Sequence, residues 1–232
     1  MKTLSVIIPC YNEEKTIAEV VRHVQAVPLG EVTKEVILID DCSSDRTLEI
    51  AKTLPDVVVV THTHNQGKGA AVISGMRHAS GDLWIIQDAD LEYSPDDYPD
   101  LLAPILNGDA DVVYGSRFLG DKPHRVFNFH HYLANRLITF LSNIFTNLNL
   151  SDIEVGYKVF SKKIGHAILP RLSAKRFGIE VELTARVARQ KCRVYEVSIS
   201  YHGRTYEEGK KITWKDGLAA LWFILWFNVF KR

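Results

Sequence analysis

The sequence is short of cysteine, of net charge and of long apolar runs, and each shortage excludes something. Its three cysteines, Cys10, Cys42 and Cys192, lie far apart with no CxxC pair. That argues against a disulfide framework or a cysteine-based zinc site and favours a reducing compartment. Basic and acidic residues balance at 28 each, so formal net charge is zero and the total gives no reason to expect a nucleic-acid partner. The charges are unevenly spread, with carboxylates dominating residues 81–111 and Lys and Arg crowding 158–215. The opening "MKTLSVIIPCYNEE" turns polar and acidic too early for a secretory signal. No low-complexity tract, internal repeat or linker-like segment occurs. The most apolar stretch, "DGLAALWFILWFNVF" (216–230), is shorter than the roughly 20 residues that cross a bilayer.

What is present alternates. "LSVIIP" (4–9), "EVILID" (35–40), "DVVVV" (56–60), "DLWIIQ" (82–87) and "ADVVYG" (110–115) read as short buried strands. Apolar residues at 17, 20, 21, 24 and 27 predict an amphipathic helix over 13–27, and a second helix is expected over 68–79. Strands alternating with helices imply an α/β protein with a mostly parallel sheet covered on both faces. Helices are also expected over 135–148 and 178–191, and a strand over 193–201.

Ligands of such folds bind at the carboxyl ends of the strands, and the polar clusters fall there. "CYNEE", "DDCSSDRT", "THNQGKGAA" and "DADLE" follow the first four strands in turn. "NQGKGAA" (65–71) is able to bring backbone N–H groups against phosphate, with Lys68 as a point charge. It lacks the Walker A ending, and no GxGxxG follows the first strand, which counts against a nicotinamide cofactor. "QDADLE" ends a strand on Asp88, Asp90 and Glu92, which period-two alternation places on one side of an extended chain. Three like charges there need a partner: a metal ion, a basic side chain or water. Hard oxygen ligands around an open position suit Mg²⁺ or Mn²⁺ shared with a diphosphate.

"VIIPCYNEEKTI", "ILIDDCSSDRT", "NQGKGAAVISGM", "GDLWIIQDADLE" and "VVYGSRF", in this order, resemble the inverting family 2 glycosyltransferases. The resemblance is closest to the dolichol-phosphate mannosyltransferase and polyprenyl-phosphate glycosyltransferase subgroup and runs from Leu4 to about Lys215. It implies a GT-A (Rossmann-like) fold over residues 1–212, followed by an apolar C-terminal helix over 213–232. It also implies that Pro9, Tyr11, Asn12, Glu13, Asp40 and Asp41 hold the donor's base and ribose. Lys68 would sit by the donor phosphates, and Asp88, Ala89 and Asp90 would form the DxD element that holds the diphosphate through a divalent ion. Glu92, where many relatives have Gln, is a third candidate ligand.

The implied reaction moves a hexose, with inversion, from a GDP-mannose or UDP-glucose type donor to polyprenyl or dolichyl phosphate. Arg117, Arg136, Arg204 and Lys210 are the residues expected on the acceptor phosphate. Asp90 and Asp152 are expected at the catalytic centre, with Asp152 a base if the acceptor is a hydroxyl. A phosphate monoester, its second pKa near about 6, arrives ionised and needs none. A saccharide-hydroxyl acceptor is the alternative, and a non-catalytic nucleotide-sugar-binding scaffold is the reading from another class. The apolar tail, closed by Lys231 and Arg232, suggests a peripheral helix on the cytoplasmic face of a membrane; packing on the domain or on a second copy competes with that.

Overall fold

The computed structural model describes residues 1–120, 122, 125–126, 128–204 and 214–231. Its strands are β1 (Lys2–Cys10), β2 (Val32–Asp40), β3 (Val57–Thr61), β4 (Leu83–Ile86), β5 (Val112–Ser116), β6 (Lys158–Ser161) and β7 (Val194–Ser198). The helices are α1 (Ile17–Ala26), α2 (Thr47–Ala51), α3 (Lys68–His78), α4 (Tyr98–Leu106), α5 (Phe129–Thr146), α6 (Lys162–Ile168), α7 (Ile179–Arg189) and α8 (Trp214–Leu225).

The strands form one sheet in the order β3-β2-β1-β4-β6-β5-β7, parallel except for β6, which runs against both neighbours. The expected α/β architecture is present. The central strands are uniformly apolar because both faces are covered: Val6, Ile7 and Ile8 of β1, Ile37 to Ile39 of β2, and Trp84 and Ile85 of β4 are all inaccessible. Register brings the ends of β1 and β2 level, with Cys10 beside Asp40, while β4 stops at Ile86 opposite Ile7. The loops after these strands therefore open on one sheet edge.

Several boundaries and elements differ from the sequence expectation. α1 begins at Ile17 rather than Glu13, because the Glu13 N–H is held by the Thr47 hydroxyl (2.8 Å) and residues 13–16 form a turn. α5 begins six residues before Asn135, in "FHHYLA", where histidines interrupt the apolar stripe. β6 is only four residues long, and the prolines at 95, 99 and 104 conceal the short turn of helix and the α4 that follow the acidic loop.

The apolar tail has one buried and one exposed side. α8 continues into a π-helical turn, Trp226–Phe230, and packs on α5 and α7. Ala220, Ile224 and Phe227 are buried, whereas Trp222 is 55% and Phe230 65% exposed. Arg186 and Arg189 of α7 donate to the carbonyls of Lys231 and Phe227, which ties the end of the tail to the domain. Among the described residues no helix is long and apolar enough to cross a membrane.

Candidate active site at the carboxyl edge of the sheet

The loops after β1, β2 and β4 each turn through a left-handed residue: Asn12 (φ 53°), Cys42 (φ 60°) and Leu91 (φ 61°). The chain leaves β conformation after Ile86, so Asp88, Asp90 and Glu92 are not a row on an extended strand. The alternation argument fails there, and the three acids meet through a turn instead. Gln87, fully buried, fixes where that turn starts. It accepts from the hydroxyls of Tyr98 (2.6 Å) and Tyr157 (2.7 Å) and donates to the Asp88 carbonyl (2.9 Å).

The first two loops are stapled together by the residues expected to hold base and ribose. Asn12 accepts from the Ser44 N–H (2.8 Å), and its own N–H donates to the Ser43 hydroxyl (3.0 Å). Thr16 donates to the Ala89 carbonyl (2.7 Å), joining the first loop to the acidic one. Tyr11 is half-open and Pro9 is buried in β1. Asp41 is wholly occupied inside the protein. It accepts from the backbone of Gln66 (2.8 Å) and Gly67 (2.7 Å) and pairs with His62 (2.7 Å), which also meets Ser74. Its work is to shape the Gly-rich loop. Asp40 accepts from the Ser43 N–H (3.1 Å) and keeps one buried oxygen without a partner among the described residues, so it is the one of the pair with an acceptor to offer a ligand.

Gly67 turns at φ 93°, and a side chain there would collide with the Lys175 carbonyl, so the loop and the 173–176 segment lie in direct contact. The following Lys68 opens α3 and bridges two acids, Asp88 at 2.7 Å and Glu180 at 2.8 Å. Burial alone would lower its pKa; Asp88 and then Glu180 outweigh that and hold it well above the ordinary lysine value. Arg204 supplies the second cation, 3.0 Å from Asp90, 3.5 Å from Glu92 and 3.7 Å from Glu13. Even so, Asp90 is pushed up to about 7, by burial first and then by Asp88 and Glu92, with Arg204 opposing. Negative charge at this edge exceeds what the two cations neutralise.

That excess bears on whether a divalent ion fits. Glu92 accepts from the Tyr201 hydroxyl and from the Arg204 N–H, both at 2.8 Å, and Asp90 accepts from the Arg204 guanidinium (3.0 Å) and from the Glu92 N–H (3.2 Å), so both carboxylates already have partners in the protein. No three His, Cys, Asp or Glu side chains converge as a ligand set among the described residues. Asp88 and Asp90 are hard carboxylates that open the turn, with Lys68 and Arg204 beside them. Mg²⁺-type sites of one or two carboxylates completed by substrate phosphate oxygens have this donor chemistry, so the residues fit such an ion.

Arg117 and Asp152, expected as acceptor ligand and catalytic group, are instead bound to each other. The guanidinium grips the carboxylate at two points, 2.6 and 2.8 Å, and packs over Tyr201 with 5.2 Å from Cζ to the ring centre. Arg136 stands exposed on α5, and Lys210 lies outside the described residues.

Glu180, His62, Tyr201 and Glu154 were not picked out from the sequence. Glu180 had a signal: "GIEVELTARVAR" places Glu180, Glu182 and Arg186 in a helix whose other residues, up to the closing Arg189, are small or apolar, and all three are buried. Charges buried with partners mark a built polar centre.

A mostly parallel sheet with a DxD turn, a Gly-Lys-Gly loop and two paired acidic loops on one edge is the GT-A architecture. Residues 5–169 match the model described as Glycosyl transferase family 2, and the chain belongs to that family. It is a glycosyltransferase. It is 29% identical over 217 residues to the UDP-N-acetylglucosamine–dolichyl-phosphate N-acetylglucosaminyltransferase of Methanococcus voltae, covering 85% of each chain. It is 38% identical over 132 residues to the dolichol-phosphate mannosyltransferase of Pyrococcus furiosus, matching 56% of this chain but only 36% of that longer protein. Glucosyl-3-phosphoglycerate synthase from Mycobacterium tuberculosis, solved with Mn²⁺, UDP and glucosyl-3-phosphoglycerate, superposes with a TM-score of 0.74 at 20% identity, over 98% of this chain and 80% of the other.

Proposed function

We propose that the protein transfers a hexose from a nucleoside diphosphate sugar to a polyprenyl phosphate. The observation that carries this is the pairing of Lys68 with Asp88 and of Arg204 with Asp90 at one sheet edge. Two cations beside two carboxylates suit two anionic substrates, a diphosphate and an acceptor phosphate. In this reading Asp88 and Asp90 hold Mg²⁺ or Mn²⁺, which when bound offsets charge on the departing diphosphate. Lys68 steadies the same diphosphate from the amino end of α3. Arg204 is the acceptor-side charge, and the Asn12, Glu13 and Asp40 loops take the nucleoside.

The dolichyl-phosphate names of two relatives support the acceptor class. So does the state of Asp152. A hydroxyl acceptor needs a base, and both oxygens of Asp152 are held by Arg117 in full burial. The exposed aromatic side of α8 is where a lipid-borne acceptor would be met, at the cytoplasmic face of a membrane.

A donor panel tests the reading. GDP-mannose, UDP-glucose and UDP-N-acetylglucosamine are each offered with a short polyprenyl phosphate or a free saccharide, with and without Mn²⁺. Metal-dependent transfer to the lipid phosphate is expected from one donor. Transfer to the saccharide alone would overturn the acceptor assignment, and no turnover of any donor would overturn the activity.

A further inference from the structure

Two carboxyl oxygens near the acidic turn stand out for what they lack among the described residues. Glu154 Oε1 and Glu180 Oε2 are both buried and have no hydrogen-bond partner among the described residues. An orphaned buried oxygen costs free energy, and native proteins retain few of them. The surroundings say where these two sit. Glu180 holds Lys68 with its other oxygen, and Lys68 holds Asp88. Asp88 lies against Gly156, two residues after Glu154, so closely that a side chain at 156 would collide with its carboxylate. Glu180 is in turn the strongest charged neighbour of Glu154, followed by Lys158, Arg117 and Asp152. The Lys158 ammonium, the nearest cation on the same segment, is spent on the carbonyls of Ile153 (3.0 Å) and Val155 (2.5 Å).

Glu154 is thus linked to the Lys68–Asp88 pair through Glu180 and through Gly156, on which Asp88 packs, and it lies two residues from Asp152 of the Arg117–Asp152 pair. In the proposed reaction the first pair marks the diphosphate. The group attached to that diphosphate is a sugar ring, whose hydroxyls are donors in search of acceptors. We propose that Glu154 is a specificity-determining residue, its free carboxyl oxygen acting with that of Glu180 to bind hydroxyl groups of the transferred sugar. This rests on the glycosyl-transfer reading above. A site built to hydrogen-bond a hydroxyl discriminates strongly against a sugar that lacks it, because the buried acceptor is then left unpaired.

The test uses the full chain with Mn²⁺ and compares Glu154→Leu, Glu154→Gln and the parent. Calorimetry gives Kd for UDP and GDP, which carry no sugar; kinetics gives KM and kcat for UDP-glucose, UDP-N-acetylglucosamine and GDP-mannose. Glu154→Leu should raise KM for the preferred donor tenfold or more and leave the Kd of the sugar-free nucleotide within twofold. Glu154→Gln, which keeps a carbonyl acceptor, should recover most of the loss. Glu154→Leu should also melt at a higher temperature than the parent, since it removes an unpaired buried carboxyl; a purely structural glutamate would give the opposite shift.

Equal losses for UDP and UDP-sugar would place Glu154 on the diphosphate side and overturn the proposal. A fall in kcat with KM unchanged would make it a proton-transfer group and overturn it equally. If Glu154→Leu does not fold, the split between sugar-bearing and sugar-free nucleotides is read on Glu154→Gln with deoxy-sugar donors, where the penalty should vanish for the donor lacking the recognised hydroxyl and overturns the proposal if it persists for all. A parent enzyme that turns over donors while Glu154→Leu behaves identically removes this inference alone. A parent that binds no nucleotide sugar removes the glycosyl-transfer reading and this inference together.

Discussion

Arg117 and Asp152 form a two-point ion pair, Nε to Oδ2 at 2.6 Å and Nη2 to Oδ1 at 2.8 Å, with Asp152 inaccessible and Arg117 only 8% exposed. Each neutralises a charge that the interior would otherwise not tolerate. Removing one partner of such a pair costs about 3–5 kcal/mol, because the other is left charged in a poorly solvated place. Arg117→Ala should therefore lower thermal stability by that order and weaken donor and acceptor turnover together. A paired change, Arg117→Met with Asp152→Leu, should restore much of the stability. Denaturation curves of the three variants check this, and a selective rise in acceptor KM for Arg117→Ala with normal stability would return Arg117 to the acceptor.

Arg204 competes for the carboxylate that a metal ion would use. Its guanidinium sits 3.0 Å from Asp90, which burial, and then the charges of Asp88 and Glu92, still push up to about 7. Arg204→Ala frees that oxygen, so Mn²⁺ affinity measured by calorimetry should rise, by roughly tenfold for about 1.4 kcal/mol of lost competition. Acceptor KM should rise in the same variant as a phosphate-binding charge is lost. A fall in Mn²⁺ affinity would mean that Arg204 organises the acids rather than occupying them.

Glu154 should set part of the pH dependence of stability. Burial, and then the charge of Glu180, push its carboxyl up to about 7, against the opposing pull of Lys158 and Arg117. Folded protein thus keeps a proton that the unfolded chain releases near about 4.5. The sign follows: the contribution is fully present below about pH 4.5 and is lost as pH rises to about 7. Roughly 1–3 kcal/mol is at stake. Urea denaturation at pH 5 and pH 8 should show a smaller difference for Glu154→Gln than for the parent. Identical slopes would mean that the carboxyl ionises freely in the folded state.

The first five strands and the edge that carries the site were legible because they rest on local pattern. "VIIP", "VILI" and "LWII" are apolar throughout, and a short apolar run bounded by polar loops has few other homes. Asp88 and Asp90 were legible for the same reason, since they come just after β4, and Lys68 because it stands where the Gly-rich loop after β3 enters α3. Partner choice was not. Nothing within "GSRF" or "LSDIE" says that Arg117 closes on Asp152, because 35 residues separate them and only the antiparallel insertion of β6 beside β5 brings their loops together. Asp41 reads as a ligand residue until the backbone of Gln66 and Gly67 is seen to fill its oxygens. Glu180 was hidden by distance as well: it reaches Lys68 from α7, on the far side of the sequence.

The outer surface of the tail is where the membrane expectation is now best tested. On α5, Phe129, Leu133, Leu137, Phe140 and Ile144 are exposed at helical spacing; on α8 and the turn after it, Leu218, Trp222, Trp226 and Phe230 are. The two helices pack on each other, so these stripes belong to neighbouring elements. Aromatic and aliphatic side chains of this kind suit a headgroup boundary. Deleting residues 217–232 would not isolate that role, because it also removes Ile224 and Phe227 from the core and the carbonyls that Arg186 and Arg189 hold. Surface changes do isolate it. Phe140→Ser, Trp222→Ser and Trp226→Ser together should release the protein from anionic phosphatidylglycerol vesicles and leave its melting temperature and its donor hydrolysis in solution near those of the parent. The same variant should lose transfer to a long-chain polyprenyl phosphate embedded in vesicles and retain transfer to a short, soluble one. If the parent ignores vesicles and sediments as a dimer that the triple change dissociates, this face joins two copies of the chain and the lipid reaches the site by another route.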